Sequence, residues 1–240
     1  MPRSRRRSSL RPGVLLSLLL GLLFLQFFLP RLYAARCAEY FRAAYAPRGQ
    51  VEVKVRAFPF FKLGSGRLDN LTLAATQVEA GGIILDTVTA ELNDVRGAGS
   101  LGPWQSGTWQ SVGTARIVAE VSEAALNAYL TASLTDAMDV ELRLHPDEVT
   151  LAGRIRFVGR LFTFFAVGDL VPAANNTIAF RVASIALEGV ELPQLFTESA
   201  QTLFDGFAFP LGQTGLLEQM TVSAVNLREG YAEIAMTIEG

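Results

Sequence analysis

From Val14 to Leu29 the chain reads VLLSLLLGLLFLQFFL, and no charge falls between Arg11 and Arg31. Such a run is apolar on every side of a helix, so it predicts a helix surrounded by lipid or protein rather than water. At a rise of about 1.5 Å per residue it covers most of a hydrocarbon core about 30 Å thick. The next stretch, RLYAARCAEYFRAAYA over residues 31–46, is rich in Ala and aromatic residues and predicts a juxtamembrane helix. Tyr33, Tyr40, Phe41 and Tyr45 suit the headgroup level of a membrane, or equally a helix packed on the rest of the chain. Pro47, Arg48 and Gly49 end it.

Beyond residue 50 the period becomes two. Val51, Val53 and Val55 alternate with Glu52, Lys54 and Arg56, the pattern of a half-buried strand. A second strand around Leu68–Val78 presents Leu71 and Leu73. A third over Ile84–Val95 places Val88, Ala90 and Leu92 on one face. After a Gly/Ser-rich turn region from Gly97 to Gly107, a fourth strand over Gln110–Val121 aligns Ala115, Ile117, Ala119 and Val121.

The period then changes to helical. Ser122 is a suitable N-cap, and Glu123 lies in the first turn, where the helix dipole favours a carboxylate. Leu126, Tyr129, Leu130 and Leu134 share one face. Strands resume at Met138–Leu144 and Val149–Phe157, turned by His145, Pro146 and Asp147. The apolar LFTFFAV run (Leu161–Val167) follows, then a strand from Ile178 towards Val190. Pro193 suits the first turn of a second helix with Leu195, Phe196, Leu203, Phe204 and Phe207 on its apolar side. Thr221–Leu227 and Tyr231–Ile238 form a closing hairpin turned by Glu229-Gly230.

The order is four strands, a helix, four strands, a helix and two strands, resembling a βββα-type unit used twice. Strands grouped around few helices imply an α+β fold with antiparallel pairing. The simplest arrangement is a long curved antiparallel sheet wrapped around one or two helices, preceded by an N-terminal membrane helix. Three segments are expected: 1–36 as signal anchor or signal peptide, 37–49 as juxtamembrane helix or linker, and 50–240 as one β-rich domain.

Charge sharpens the division. The first 36 residues carry seven arginines and no acid, which leaves 14 of the 21 Lys+Arg against all 23 Asp+Glu, a net of −9, for the rest. The stronger positive flank precedes the apolar run, so the C-terminal domain should be translocated. Two fates are open for the leader. A cleaved signal needs small residues at a cleavage site, and Leu32 to Ala35 suit it poorly. The preferred expectation is an uncleaved anchor in the cell membrane, with secretion the outcome if it is cut. Cys37 follows the run as a lipoprotein cysteine would, but Arg36 beside it does not fit that processing. The acidic domain disfavours nucleic acid as a partner.

Chemistry is sparse. With one His and one Cys, a His/Cys metal cluster is ruled out and a Cys–His dyad would need Cys37. There is no GxSxG, P-loop or GxGxxG motif. The carboxylates fall singly on strands and turns. No enzyme, cofactor or metal is expected. The excess lies in large apolar side chains, with phenylalanines clustered near residues 58–61, 157–165 and 196–209. They serve either an ordinary core or an apolar groove for lipid tails.

The segment VEVKVRAFPFFKLGSGRLDNLTLAATQVEAGGIILDTVTAELNDVR (Val51–Arg96) carries a resemblance. Its Phe58-Pro59, its Leu63-Gly64-Ser65-Gly66 turn, Gly81-Gly82-Ile83 and Val95 are similar to the start of the LmeA-like phospholipid-binding family. The helix VSEAALNAYL (Val121–Leu130) and the turn Val190-Glu191-Leu192-Pro193 resemble later parts of it. The resemblance implies a tubular lipid-binding (TULIP-like) fold, in a non-enzymatic protein of the bacterial envelope that binds phospholipid or another acyl lipid at the membrane. Candidate lining residues are Phe58, Phe60, Leu63, Phe157 and Phe162. Phe164, Phe180, Leu195, Phe196 and Phe204 complete the expectation. A structural or partner-binding module, with a fully packed core, is the first alternative. An envelope enzyme with a polar cleft is the second.

Overall fold

The computed structural model describes residues 12–97, 109–133, 138–157, 160–191, 207–211 and 220–238. The fold is α+β and mostly antiparallel sheet, with an N-terminal apolar helix, a short second helix and one sheet curled into a half-barrel. The leader and the juxtamembrane segment form one continuous helix, α1 (Pro12–Tyr45). The strands divide between two sheets. The first runs β1 (Val51–Arg56), β2 (Arg67–Ala80), β3 (Ile83–Gly97), β5 (Thr114–Ser122), β13 (Tyr231–Thr237), β12 (Thr221–Arg228), with β4 (Trp109–Ser111) also on β3. The second runs β10 (Val190–Glu191), β9 (Thr177–Leu187), β8 (Arg160–Ala173), β7 (Val149–Phe157), β6 (Met138–Leu144), with β11 (Ala208–Pro210) on β9.

The alternation seen in the sequence becomes the buried face. Leu71, Leu73, Val88, Ala90, Leu92, Ala115, Ile117, Ala119 and Val121 are all buried. Two residues of the β2–β3 hairpin, Gln77 (φ 54°) and Asp94 (φ 50°), are left-handed. Near each, the buried series skips a step in both strands, from Ala75 to Val78 and from Leu92 to Val95, while the pairing register holds. A left-handed residue inside a strand turns the pleat, so these positions bend the ribbon without exposing its apolar face. In the second sheet the register shifts between Val167 and Gly168. A Cβ on Gly168 would overlap the Arg181 carbonyl oxygen, so only glycine fits there.

The short helix α2 (Glu123–Ser133) joins the sheets. Ser122 Oγ accepts the Ala125 N–H as an N-cap. Leu126 and Leu130 point into the core. Asn127 brackets edge strand β6, donating to the Leu142 carbonyl at 2.8 Å and accepting its N–H at 2.7 Å. Glu123 accepts the Leu144 N–H at 2.9 Å. These bonds occupy backbone groups that an open edge would leave unpaired. Where Leu126, Ile83 and Ile234 meet Leu170, Ile178 and Phe209, the residual void is about 10 Å³, too small for an acyl chain. The second helix expected from Pro193 lies outside the described residues apart from Phe207, which is buried.

Candidate functional site

The site is built where α1 meets the first sheet. Along α1, Val14, Leu16 and Leu18 to Phe24 are exposed. From Gln26 a stripe becomes covered: Gln26, Leu29, Pro30, Tyr33 and Ala34 are partly buried, Cys37 and Ala38 fully. Steps of three and four residues place them on one helical face. Strand β1 returns along that face. Arg42 donates to the Val51 carbonyl at 3.3 Å near the top, and Gln26 meets the residues after β1 at the bottom. Val51, Val53 and Val55, the alternating valines of the sequence, are the half-buried side of β1.

The polypeptide following β1 is a compact loop, Ala57 to Gly66, containing the 3-10 turn η1 (Phe60–Ser65). The Phe58–Pro59 peptide bond is cis. Gln26 Nε2 donates to the Ala57 carbonyl and Gln26 Oε1 accepts the Phe60 N–H, both at 2.9 Å. The Tyr33 hydroxyl donates to the Leu63 carbonyl at 2.9 Å. On the other side Asp69 accepts the Phe58 N–H and pairs with Lys62 Nζ at 2.6 Å. Burial pushes the Asp69 carboxyl up. The hydrogen bonds from Lys62 and Phe58, with the charges of Lys62 and Arg56, outweigh that and hold it below the usual carboxylate range.

Between α1 and β1 lies a cleft of about 560 Å³. Leu23, Phe27, Pro30, Val53, Val55 and Phe58 give it apolar walls, and Arg31, Lys54 and Arg56 bring cations to it. Lys54 is paired with Glu52 at 2.8 Å. No ion pair joins Arg31 or Arg56 to an acid among the described residues. A volume in this range with apolar walls and a few polar groups is the ordinary form of a ligand site.

A second, more polar trough of about 760 Å³ opens between β8–β9 and β12, lined by Asp147, Asp169, Arg181, Asn226 and Arg228. Its two acids and two arginines balance. Among the described residues no three His, Cys, Asp or Glu side chains converge as a metal site. His145 stands in its turn, 3.8 Å from Glu229 and half exposed.

The expected lining residues separate. Phe58 lines the cleft, with Phe60 partly buried beside it and Leu63 fully buried behind the loop. Phe164 and Phe180 are core residues of the second sheet, and Phe162 is partly buried on β8. Phe165, adjacent to Phe164, points the other way and is exposed. The side chain of Phe157, and Leu195, Phe196 and Phe204 altogether, lie outside the described residues. Gln26, Arg31, Arg56 and Asp69 escaped the sequence reading. One signal pointed to Gln26: with Ser17, it is a polar side chain inside the apolar run.

A family model described as LmeA-like phospholipid-binding matches residues 26–233, starting at the glutamine that grips the loop. No curated protein and no solved structure matches the chain.

Proposed function

Because the chain belongs to the LmeA-like phospholipid-binding family, we propose that it binds a phospholipid in the α1–β1 cleft, at the outer face of a bacterial cell membrane that α1 spans. The cleft itself carries this reading. It is apolar along its length, cationic at Arg31 and Arg56, and walled on one side by the helix that enters the bilayer. A lipid tail moving from bilayer to cleft exchanges one apolar contact for another, so the tail alone gives little selectivity. Discrimination then rests on the headgroup phosphate, for which a guanidinium offers a bidentate, charge-assisted partner. The role is binding or transfer, with no catalytic step.

The anchor is retained in this reading. Cutting near Ala35 would remove Gln26 and Tyr33, and with them three hydrogen bonds to the 57–63 loop. Of the residues expected to touch lipid, Phe58 is at the cleft and Phe60 beside it. Phe164 and Phe180 belong to the core.

The test uses the full chain in nanodiscs containing phosphatidylglycerol with a diazirine in one acyl chain. Adducts on α1 arise from the bilayer in any case. Adducts on Val53 or Val55 require a tail in the cleft and are the expected result. Ala34→Phe, which fills the cleft, should abolish them. Absence of β1 adducts in the wild type, or their persistence in A34F, overturns the reading.

A further inference from the structure

We infer that the Phe58-Pro59-Phe60-Phe61 loop is a wedge inserted into the outer leaflet, so that the domain docks on the bilayer beside its own anchor. The inference rests on α1 spanning the membrane. It does not rest on the cleft holding a lipid.

Depth comes first. Arg11 and Arg31 bracket the charge-free run, and the nineteen residues between them at about 1.5 Å each nearly match a hydrocarbon core of about 30 Å. Gln26 lies five residues inside Arg31, hence roughly 7–8 Å below the outer boundary by the same rise. Its side chain holds the Ala57 carbonyl and the Phe60 N–H at 2.9 Å. The loop is therefore tied at a depth where lipid tails, and not water, surround the helix.

The loop's own chemistry agrees. Phe58 and Phe61 are 69% and 68% exposed, although both are large and apolar. Among the other described phenylalanines beyond α1, Phe164, Phe180, Phe207 and Phe209 are buried. Exposed apolar clusters of this kind mark an interaction surface, and continuity with the lipid-facing side of α1 identifies the partner as lipid. The backbone is also prepared for an apolar medium. Phe58 N–H goes to Asp69, Phe60 N–H to Gln26, Lys62 N–H to the Pro59 carbonyl at 3.1 Å, and the Leu63 carbonyl accepts from Tyr33 and from Gly66 N–H. Pro59 has no N–H to satisfy. Irregular backbone survives at membrane depth only when its polar groups are paired within the protein. Several of the loop's backbone groups meet that condition.

The flanks suit the interface. Lys62 is paired with Asp69, while Arg67 and Arg96 face each other across β2 and β3 just behind the loop, both exposed. Like charges directly opposite repel each other in water. Anionic headgroups at that level relieve the repulsion.

The experiment places a nitroxide at Phe58→Cys, Phe61→Cys and, as an aqueous reference, Thr89→Cys, which is exposed at mid-strand in β3. Cys37 is 4% exposed and is replaced by alanine in the background. The full chain is reconstituted in phospholipid nanodiscs. Collision rates with oxygen, which concentrates in lipid, are compared with those of a water-soluble nickel chelate. The expected result is oxygen-dominated collision at 58 and 61 and nickel-dominated collision at 89. Nickel-dominated collision at both loop positions overturns the wedge. Cross-linking to Val53 and Val55 reports separately on the cleft, so either conclusion can fail without the other.

Discussion

Replacing Gln26 by leucine separates two views of α1. If α1 were an apolar span and nothing more, the change would be neutral or favourable, since it removes a polar group from the hydrocarbon region. The structure predicts the opposite. Gln26 supplies both a donor and an acceptor to the 57–60 backbone, each at 2.9 Å. A typical hydrogen bond contributes about 1 kcal/mol net, and stranding a buried partner costs about 1–3 kcal/mol. Leucine strands two partners, the Ala57 carbonyl and the Phe60 N–H, in a place where water is scarce. A loss of about 2–4 kcal/mol in loop closure follows. At about 1.4 kcal/mol per decade, the loop should open roughly 30- to 700-fold more often. Hydrogen exchange of the full chain in nanodiscs, read on peptides covering residues 57–66, measures this directly. Ser17→Leu is the control, because Ser17 bonds only to the Val14 carbonyl of its own helix. Unchanged protection of residues 57–66 in Gln26→Leu would refute the account of α1 as part of the domain.

Two further outcomes are expected. Asn127→Ala removes both side-chain bonds to Leu142 and uncovers the β6 edge, which should lower unfolding stability by about 2–3 kcal/mol, measured by denaturant midpoint at constant slope. Asp69 has a lowered pKa in the fold, so its stabilising contribution is present above the ordinary aspartate value near 4 and fades as pH falls through the lowered folded value. The stability difference between wild type and Asp69→Asn should therefore be largest at neutral pH and shrink on acidification; a difference independent of pH would contradict the Asp69–Lys62 clamp.

Much of the fold was legible because it is local. The valines at 51, 53 and 55, the alternation through Leu71 and Leu73, and the helical spacing of Leu126 and Leu130 each state which side of an element is buried, and each is buried or half-buried as the period requires. The charge-free run likewise marked a helix long and apolar enough to cross a membrane, and the structure forms a helix there. Of the residues that line the proposed cleft, Phe58 stood out in the sequence, because three phenylalanines and a proline beside a Gly-rich turn are conspicuous. The remaining phenylalanines looked the same in sequence, since an aromatic side chain reads alike whether it fills a core, as Phe180 does, or faces outward, as Phe165 does.

Tertiary structure decided the rest, for a physical reason common to every case. The decisive contacts are to backbone groups, and a carbonyl or N–H leaves no mark in the sequence of its partner. Nothing near Ile234 announces that it pairs with Ala119, which brings the last hairpin into the first sheet. Nothing near Asn127 announces Leu142. Gln26 could be noticed as polar in an apolar run, but only the return of β1 along α1 supplies the carbonyl and the N–H that it holds. Sequence by itself determined many of the elements, their buried sides and a helix long and apolar enough to cross a membrane. The folded chain determined that this helix is also a wall of the domain, and thereby that a cleft and an exposed phenylalanine loop lie beside its apolar length.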